Sequence, residues 1–139
     1  MDFYIGTDKD QLDISAIHQY ISTTSYWGKG RTMEDLQKTL DHCLCFGMYL
    51  RSGTQIGFAR VLTDYVVFAY LMDLFVFDEY RGNGLGKELI GYIIGHPLLK
   101  NVKTMALKTK DAHALYERFG FQTIGDSELW MYKDNVVYS

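Results

Sequence analysis

The chain has 139 residues, 47% of them hydrophobic and 22% charged, the make-up of one ordinary globular domain (1–139) and not of a disordered or repetitive chain. Its 14 basic and 17 acidic side chains leave a formal charge of -3, so no broad positive field exists to hold nucleic acid. Apolar runs break well before the roughly 20 residues that span a bilayer, and no leader pattern opens the chain, so a cytoplasmic protein without a membrane partner is expected.

In chain order, Phe3 to Ile5 predicts a short strand, and the spacing of Leu12, Ile14, Ile17, Tyr20 and Ile21 predicts an amphipathic helix. Ser22 to Arg31, with two glycines, reads as a loop. Thr32 offers an N-cap for a helix that runs on through Leu36, Leu40 and Cys43. Cys43 and Cys45 are too close for an ordinary disulfide and too few for a four-ligand metal site, so they read as packing thiols, with no metal expected. From Phe46 the period changes to two, and turns at Ser52-Gly53 and Thr63-Asp64 mark a meander of strands near 46–51, 55–62 and 66–77. The last of these ends in a nearly unbroken apolar run, the mark of a central strand covered on both faces. A helix over Gly84 to Gly95, a strand over Val102 to Lys108, a helix capped by Asp111 and ended by Gly120, and two strands near 121–124 and 128–133 complete the series. The order defines a mixed α/β (α+β) domain with helices on both faces of one sheet.

The stretch Arg81-Gly82-Asn83-Gly84-Leu85-Gly86-Lys87 joins the central strand to a strongly amphipathic helix. Glycines let a backbone turn its N–H groups outward, and a helix N-terminus adds partial positive charge, so this loop suits a phosphate. Two familiar phosphate loops do not fit. The dinucleotide fingerprint needs glycine where Lys87 stands, and the nucleotide P-loop needs glycine at Arg81 and Ser or Thr at Glu88.

Arginine followed by Gly-x-Gly-x-Gly between a central strand and a helix resembles the acyl-coenzyme A signature of the GNAT superfamily of N-acetyltransferases. The run Ala112-His113-Ala114-Leu115-Tyr116-Glu117-Arg118-Phe119-Gly120-Phe121 is similar to that family's second motif. The resemblance implies a central, mostly antiparallel twisted sheet with a splayed strand pair. It implies acetyl-CoA as cosubstrate, with the pantetheine arm along Leu74, Phe75 and Val76 and the pyrophosphate on Arg81, Gly82, Asn83, Gly84, Leu85, Gly86 and Lys87. It implies acetyl transfer to a primary amine, small molecule or peptide, by direct attack in a ternary complex, and a homodimer among the assemblies open to the chain. A non-catalytic acyl-CoA sensor is the alternative. Asp78 and Glu79 stand where the family often has proline, and Thr109 to Asp111 where many members have an asparagine.

Such a reaction needs a base for the amine proton, donors for the developing oxyanion and an acid for the departing thiolate. Tyr116 matches the family's leaving-group acid, and a backbone N–H at Phe75 or Val76 its oxyanion donor. Asp73 is an acid in an otherwise apolar strand, where burial raises a carboxyl's pKa, and is the candidate base; an aspartate bonded to a neighbouring loop is the other reading. His113 and Glu34 are weaker candidates, each at the start of a helix. By resemblance the acceptor lies between the first two helices, their connecting loop and the terminal strands, which makes Tyr26, Trp27, Phe46 and Trp130 its candidate aromatic wall.

Overall fold

The alternation that starts near Phe46 becomes a sheet whose spatial order follows the chain. In the computed structural model, which describes residues 1–125 and 127–135, five strands lie in the order β1 (Phe3–Gly6), β2 (Leu44–Leu50), β3 (Gln55–Thr63), β4 (Phe68–Val76) and β5 (Thr104–Leu107). The first three pairings are antiparallel and β4 to β5 is parallel. Two compact units divide the chain, Met1–Lys108 and Thr109–Ser139.

The first unit holds the whole sheet. Ile17, Tyr20, Ile21, Leu36 and Leu40, from the helical segments before β2, pack with Cys45, Phe58 and Phe75 of the strands in one buried cluster. Here α1 (Ile14–Gln19) and α2 (Met33–Asp41) cover one face. Register puts Phe46 opposite Ala59 and out of phase with Cys45, so it points to the other face, where its ring meets Tyr92 and His96 at the end of α3 (Leu85–Gly95). Thr32 caps α2 as its sequence predicts, accepting from the Asp35 amide at 3.1 Å. The first helix is shorter than its apolar spacing predicts. A single 3-10 turn at Lys9–Gln11 precedes it and a π-helical turn at Tyr20–Thr24 comes after it. The Ser25 amide reaches back five residues to the Tyr20 carbonyl, while Ser22, Thr23 and Ser25 hydroxyls bond the carbonyls four residues before them.

In the second unit α4 (His113–Glu117) has Ala112 at its N-cap, with no side-chain capping bond, where Asp111 was expected; the Ala112 amide donates to the Thr109 hydroxyl at 3.1 Å. Gly120 does take the left-handed conformation, at φ +92°. The two strands expected near 121–124 and 128–133 are not formed among the described residues. Leu129, Met131 and Tyr132 face solvent, and a run of strand-favouring residues makes a strand only where a partner strand takes up its amides.

Candidate active site

Two features of β4 shape the site. Pairing with β5 covers only Phe68 to Leu71, so from Met72 to Val76 the β4 edge on that side has no strand partner among the described residues. This is the splay that the resemblance implies. On the other side, Phe58 stands opposite Phe75 but Arg60 opposite Met72, so Asp73 and Leu74 together face Ala59. That is a β-bulge, and Asp73 supports it with a left-handed φ of 51°. The Phe77 amide donates to the Ile56 carbonyl at 3.0 Å on the β3 side. Strand alternation then turns the Leu74 and Val76 amides toward the open edge, and the Phe75 amide away from it.

At the end of this edge the chain makes a short 3-10 turn, Asp78–Tyr80, and enters the glycine loop. Gly82 and Gly84 both take left-handed φ values, +86° and +72°, which glycine adopts without a side-chain clash. A Cβ at Gly82, Gly84 or Gly86 would meet nothing within 4 Å, so the loop bounds open space. Glu88 is the first α3 amide to reach a helical acceptor, the Gly84 carbonyl at 3.2 Å. The amides of Leu85, Gly86 and Lys87 are those any α-helix leaves without an intrahelical acceptor, and they stand at its positive end. Outward amides, open space and the cations Arg81 and Lys87 fit a pyrophosphate. Arg81 is itself held by the Tyr20 hydroxyl at 2.6 Å and pairs with Asp78 at 3.3 Å. The Tyr20 ring stacks on Phe75 with centroids 4.1 Å apart, and burial, outweighing Arg81, raises its pKa so that its hydroxyl keeps its proton.

Asp73 is 2% exposed at its side chain and engaged on both oxygens. Oδ1 accepts from the Trp27 indole at 2.7 Å, and Oδ2 from Arg31 Nη1 at 2.5 Å and Arg60 Nε at 2.6 Å. Burial pushes its pKa up, but the attraction of Arg60 and then Arg31 outweighs that, so the carboxyl lies below its ordinary value instead of above it. The expectation of a raised pKa is therefore corrected. It considered the apolar strand and missed two guanidinium partners that arrive from other elements.

The proposed aromatic wall separates into different environments. Trp27 is half-buried on Asp73, and Tyr26 meets it edge to face at 5.4 Å. Phe46 is fully buried under α3, so it belongs to the core and not to a wall. In the second unit Trp130 is half-exposed, and Tyr116 is buried with its ring edge-on to Phe121 at 5.7 Å. Arg31, Arg60 and Tyr20 are the residues that sequence reading passed over. Arg60 carried a signal, a lone cation between Ala59 and Val61 in an apolar strand next to the strand of Asp73. Arg31, in a loop, carried none.

A splayed β4 edge leading into an amide-lined loop is the arrangement that the sequence resemblance implies for an acyl-transfer fold. The family model for the Acetyltransferase (GNAT) family matches residues 14–121, and the chain belongs to that family. GNAT enzymes use acetyl-CoA and act on small-molecule or peptide acceptors. A protein of Gibberella zeae named as an acetyltransferase is 29% identical over 87% of this chain and 80% of its own. The crystal structure of a GNAT-family protein from Xanthomonas campestris pv. campestris, also named as an acetyltransferase, is 39% identical, covers 96% of this chain and 94% of that one, and superposes with a TM-score of 0.87. The fold alone is shared with a Clostridium acetobutylicum protein solved with acetyl-CoA, at 14% identity, 96% and 95% coverage and a TM-score of 0.65. Among the described residues no helix is long and apolar enough to cross a membrane, and no group of acids, histidines or cysteines is placed to hold a metal.

Proposed function

We propose that this chain transfers the acetyl group of acetyl-CoA to a primary amine by direct attack in a ternary complex. The observation that carries the reading is the continuous backbone track from the open edge of β4 into the glycine loop. Bound acetyl-CoA supplies an activated thioester. The amides of Leu85, Gly86 and Lys87, with Arg81, neutralise its pyrophosphate. The Leu74 and Val76 edge pairs with the amide groups of the pantetheine arm, as a strand would. Of the two oxyanion donors considered, Val76 is favoured, because its N–H points to the open edge and that of Phe75 to β3.

The nitrogen of the neutral amine bonds to the acyl carbon, the carbon–sulfur bond breaks, one N–H proton leaves to water, and the thiolate takes a proton from the Tyr116 hydroxyl, which recovers one from water. Asp73 is assigned to positioning instead of base chemistry. Its carboxylate already accepts three hydrogen bonds and is stabilised in its charged form, which makes it a poor proton acceptor. It holds Trp27 and Arg31 against β4.

Calorimetric titration with acetyl-CoA, followed by CoA release across a panel of amines, tests the reading. Saturable binding and thiol release are expected. A folded protein that does not bind acetyl-CoA would overturn the proposal, and binding without release to any amine would leave the sensor reading. Within the enzyme reading, Tyr116→Phe should lower turnover by roughly 10²-fold with acetyl-CoA affinity little changed. Near-full turnover in that variant returns Tyr116 to packing.

A further inference from the structure

We propose that the acceptor amine carries an anionic group and that Arg31, with Arg60 behind it, receives that group. The inference rests on the acetyl-transfer reading and names its substrate class. Two guanidinium groups converge on the single oxygen Oδ2 of Asp73, while Oδ1 is taken by the neutral indole of Trp27. Among the described residues, neither arginine has a second carboxylate within salt-bridge distance; the other partner of Arg60 is the Cys43 thiol, at 3.3 Å from Nη1. Two cations against one anion leave the cluster with one positive charge in excess. The side chains of Arg31, Arg60 and Asp73 are only 18%, 10% and 2% exposed, so water compensates that charge poorly. A ligand anion would complete it.

The geometry selects Arg31 as the receiving group. It is the more exposed of the two, and a guanidinium has five N–H donors, of which Asp73 engages Nη1 alone. Its backbone is fixed at both ends, with its amide on the Gly28 carbonyl at 2.9 Å and its carbonyl on the His18 ring at 2.8 Å. Gly28 leaves room for the guanidinium, since a Cβ there would stand 3.2 Å from Nη2. The donor fork is thus held in place before any ligand arrives, which suits a planar carboxylate or a phosphate. The anchor of Arg31, Asp73, lies two residues beyond the last β5-paired residue, Leu71, at the start of the open edge. An acceptor reaching that edge therefore brings its amine and its anion within a few atoms of each other. The same excess charge repels a polyamine.

Rates of CoA release with matched primary amines test this. β-Alanine would be compared with β-alanine amide, and phosphoethanolamine with ethanolamine, at low and high salt. At least one anionic member should exceed its neutral partner in kcat/KM by 10-fold or more, with the ratio shrinking at high salt. The pair showing the larger ratio identifies the anion as carboxylate or phosphate. Arg31→Gln should collapse the ratio through KM for the anionic amine, and Arg31→Lys, which keeps the charge, should retain part of it. Turnover that is equal for the paired amines or favours the neutral ones would overturn the inference while leaving acetyl transfer intact. So would an Arg31→Gln protein in which both members fall by the same factor, since that marks a purely structural arginine. Absence of acetyl-CoA binding by the folded wild-type protein would remove the underlying reading, and the inference with it.

Discussion

The glycine loop and the Asp73 cluster sit at opposite ends of the open edge of β4 and are built on opposite principles. Arg81 to Lys87 is contiguous, exposed except at Leu85 and Gly86, and made of backbone; its chemistry comes from φ values and helix polarity. Asp73, Trp27, Arg31 and Arg60 come from three separate stretches of chain, are largely buried, and work through side chains alone. A backbone device tolerates a change of side chain that keeps its conformation. A buried charge network tolerates almost none, because removing one member strands the others.

The contrast breaks most visibly at Asp73. Asp73→Asn leaves two guanidinium groups around a neutral amide, and loss of a partner from a buried pair costs about 3–5 kcal/mol, to be read from urea denaturation. The pH dependence has a definite sign. Because the folded pKa is depressed, the stabilisation is complete above the ordinary value of 3.8 and drains away as pH falls below it toward the folded value. Wild type should lose stability in that acid window more steeply than the variant. Equal acid sensitivity of the two proteins would show that Asp73 is not held ionised.

A smaller effect is expected in the loop, where two glycines separate conformation from space. Gly84→Val places a branched side chain at a φ of +72° and should cost about 1–2 kcal/mol of stability as well as acetyl-CoA affinity. Gly86 has no such φ and nothing within 4 Å of a Cβ. Gly86→Val should therefore weaken acetyl-CoA binding by roughly 10-fold, about 1.4 kcal/mol, with the melting temperature held. Unchanged affinity in both folded variants would remove the pyrophosphate from this loop.

The smallest effect concerns the link between loop and helix. Tyr20→Phe keeps the ring on Phe75 and deletes the hydroxyl that holds Arg81. A net contribution of about 0.5–1.5 kcal/mol for one hydrogen bond predicts a several-fold rise in KM for acetyl-CoA with kcat held. A fall in kcat alone would mean that the hydroxyl serves the chemistry instead.

Legibility in the sequence divides along the same line. The loop, α3 and the Thr32 cap could be read because each is a local pattern whose physics is complete within a dozen residues. The meander was readable because turns and a period of two lie in series. Phe46 was misplaced because an aromatic at a strand end has the same pattern whether it lines a cleft or lies under a helix, and only register against α3 decides. The Asp73 pKa went the wrong way because its direction depends on Arg31 and Arg60, 42 and 13 residues away. Residues 121–133 carried a strand pattern, but pattern does not supply a neighbouring strand.

The π turn at Tyr20–Thr24 also constrains how the chain can change in length. One extra residue is accommodated there, and an α-helix advances about 100° per residue. Deleting Thr23 would let the segment revert to an ordinary α-helix, yet would rotate the chain after the turn by that angle relative to the chain before it. Tyr20 would keep its place on Phe75, while Trp27 and Arg31 would be carried around the helix axis and off Asp73. Deletion of one exposed residue, Thr23, would thus act as a phase error that disengages the Trp27–Arg31 segment from the sheet.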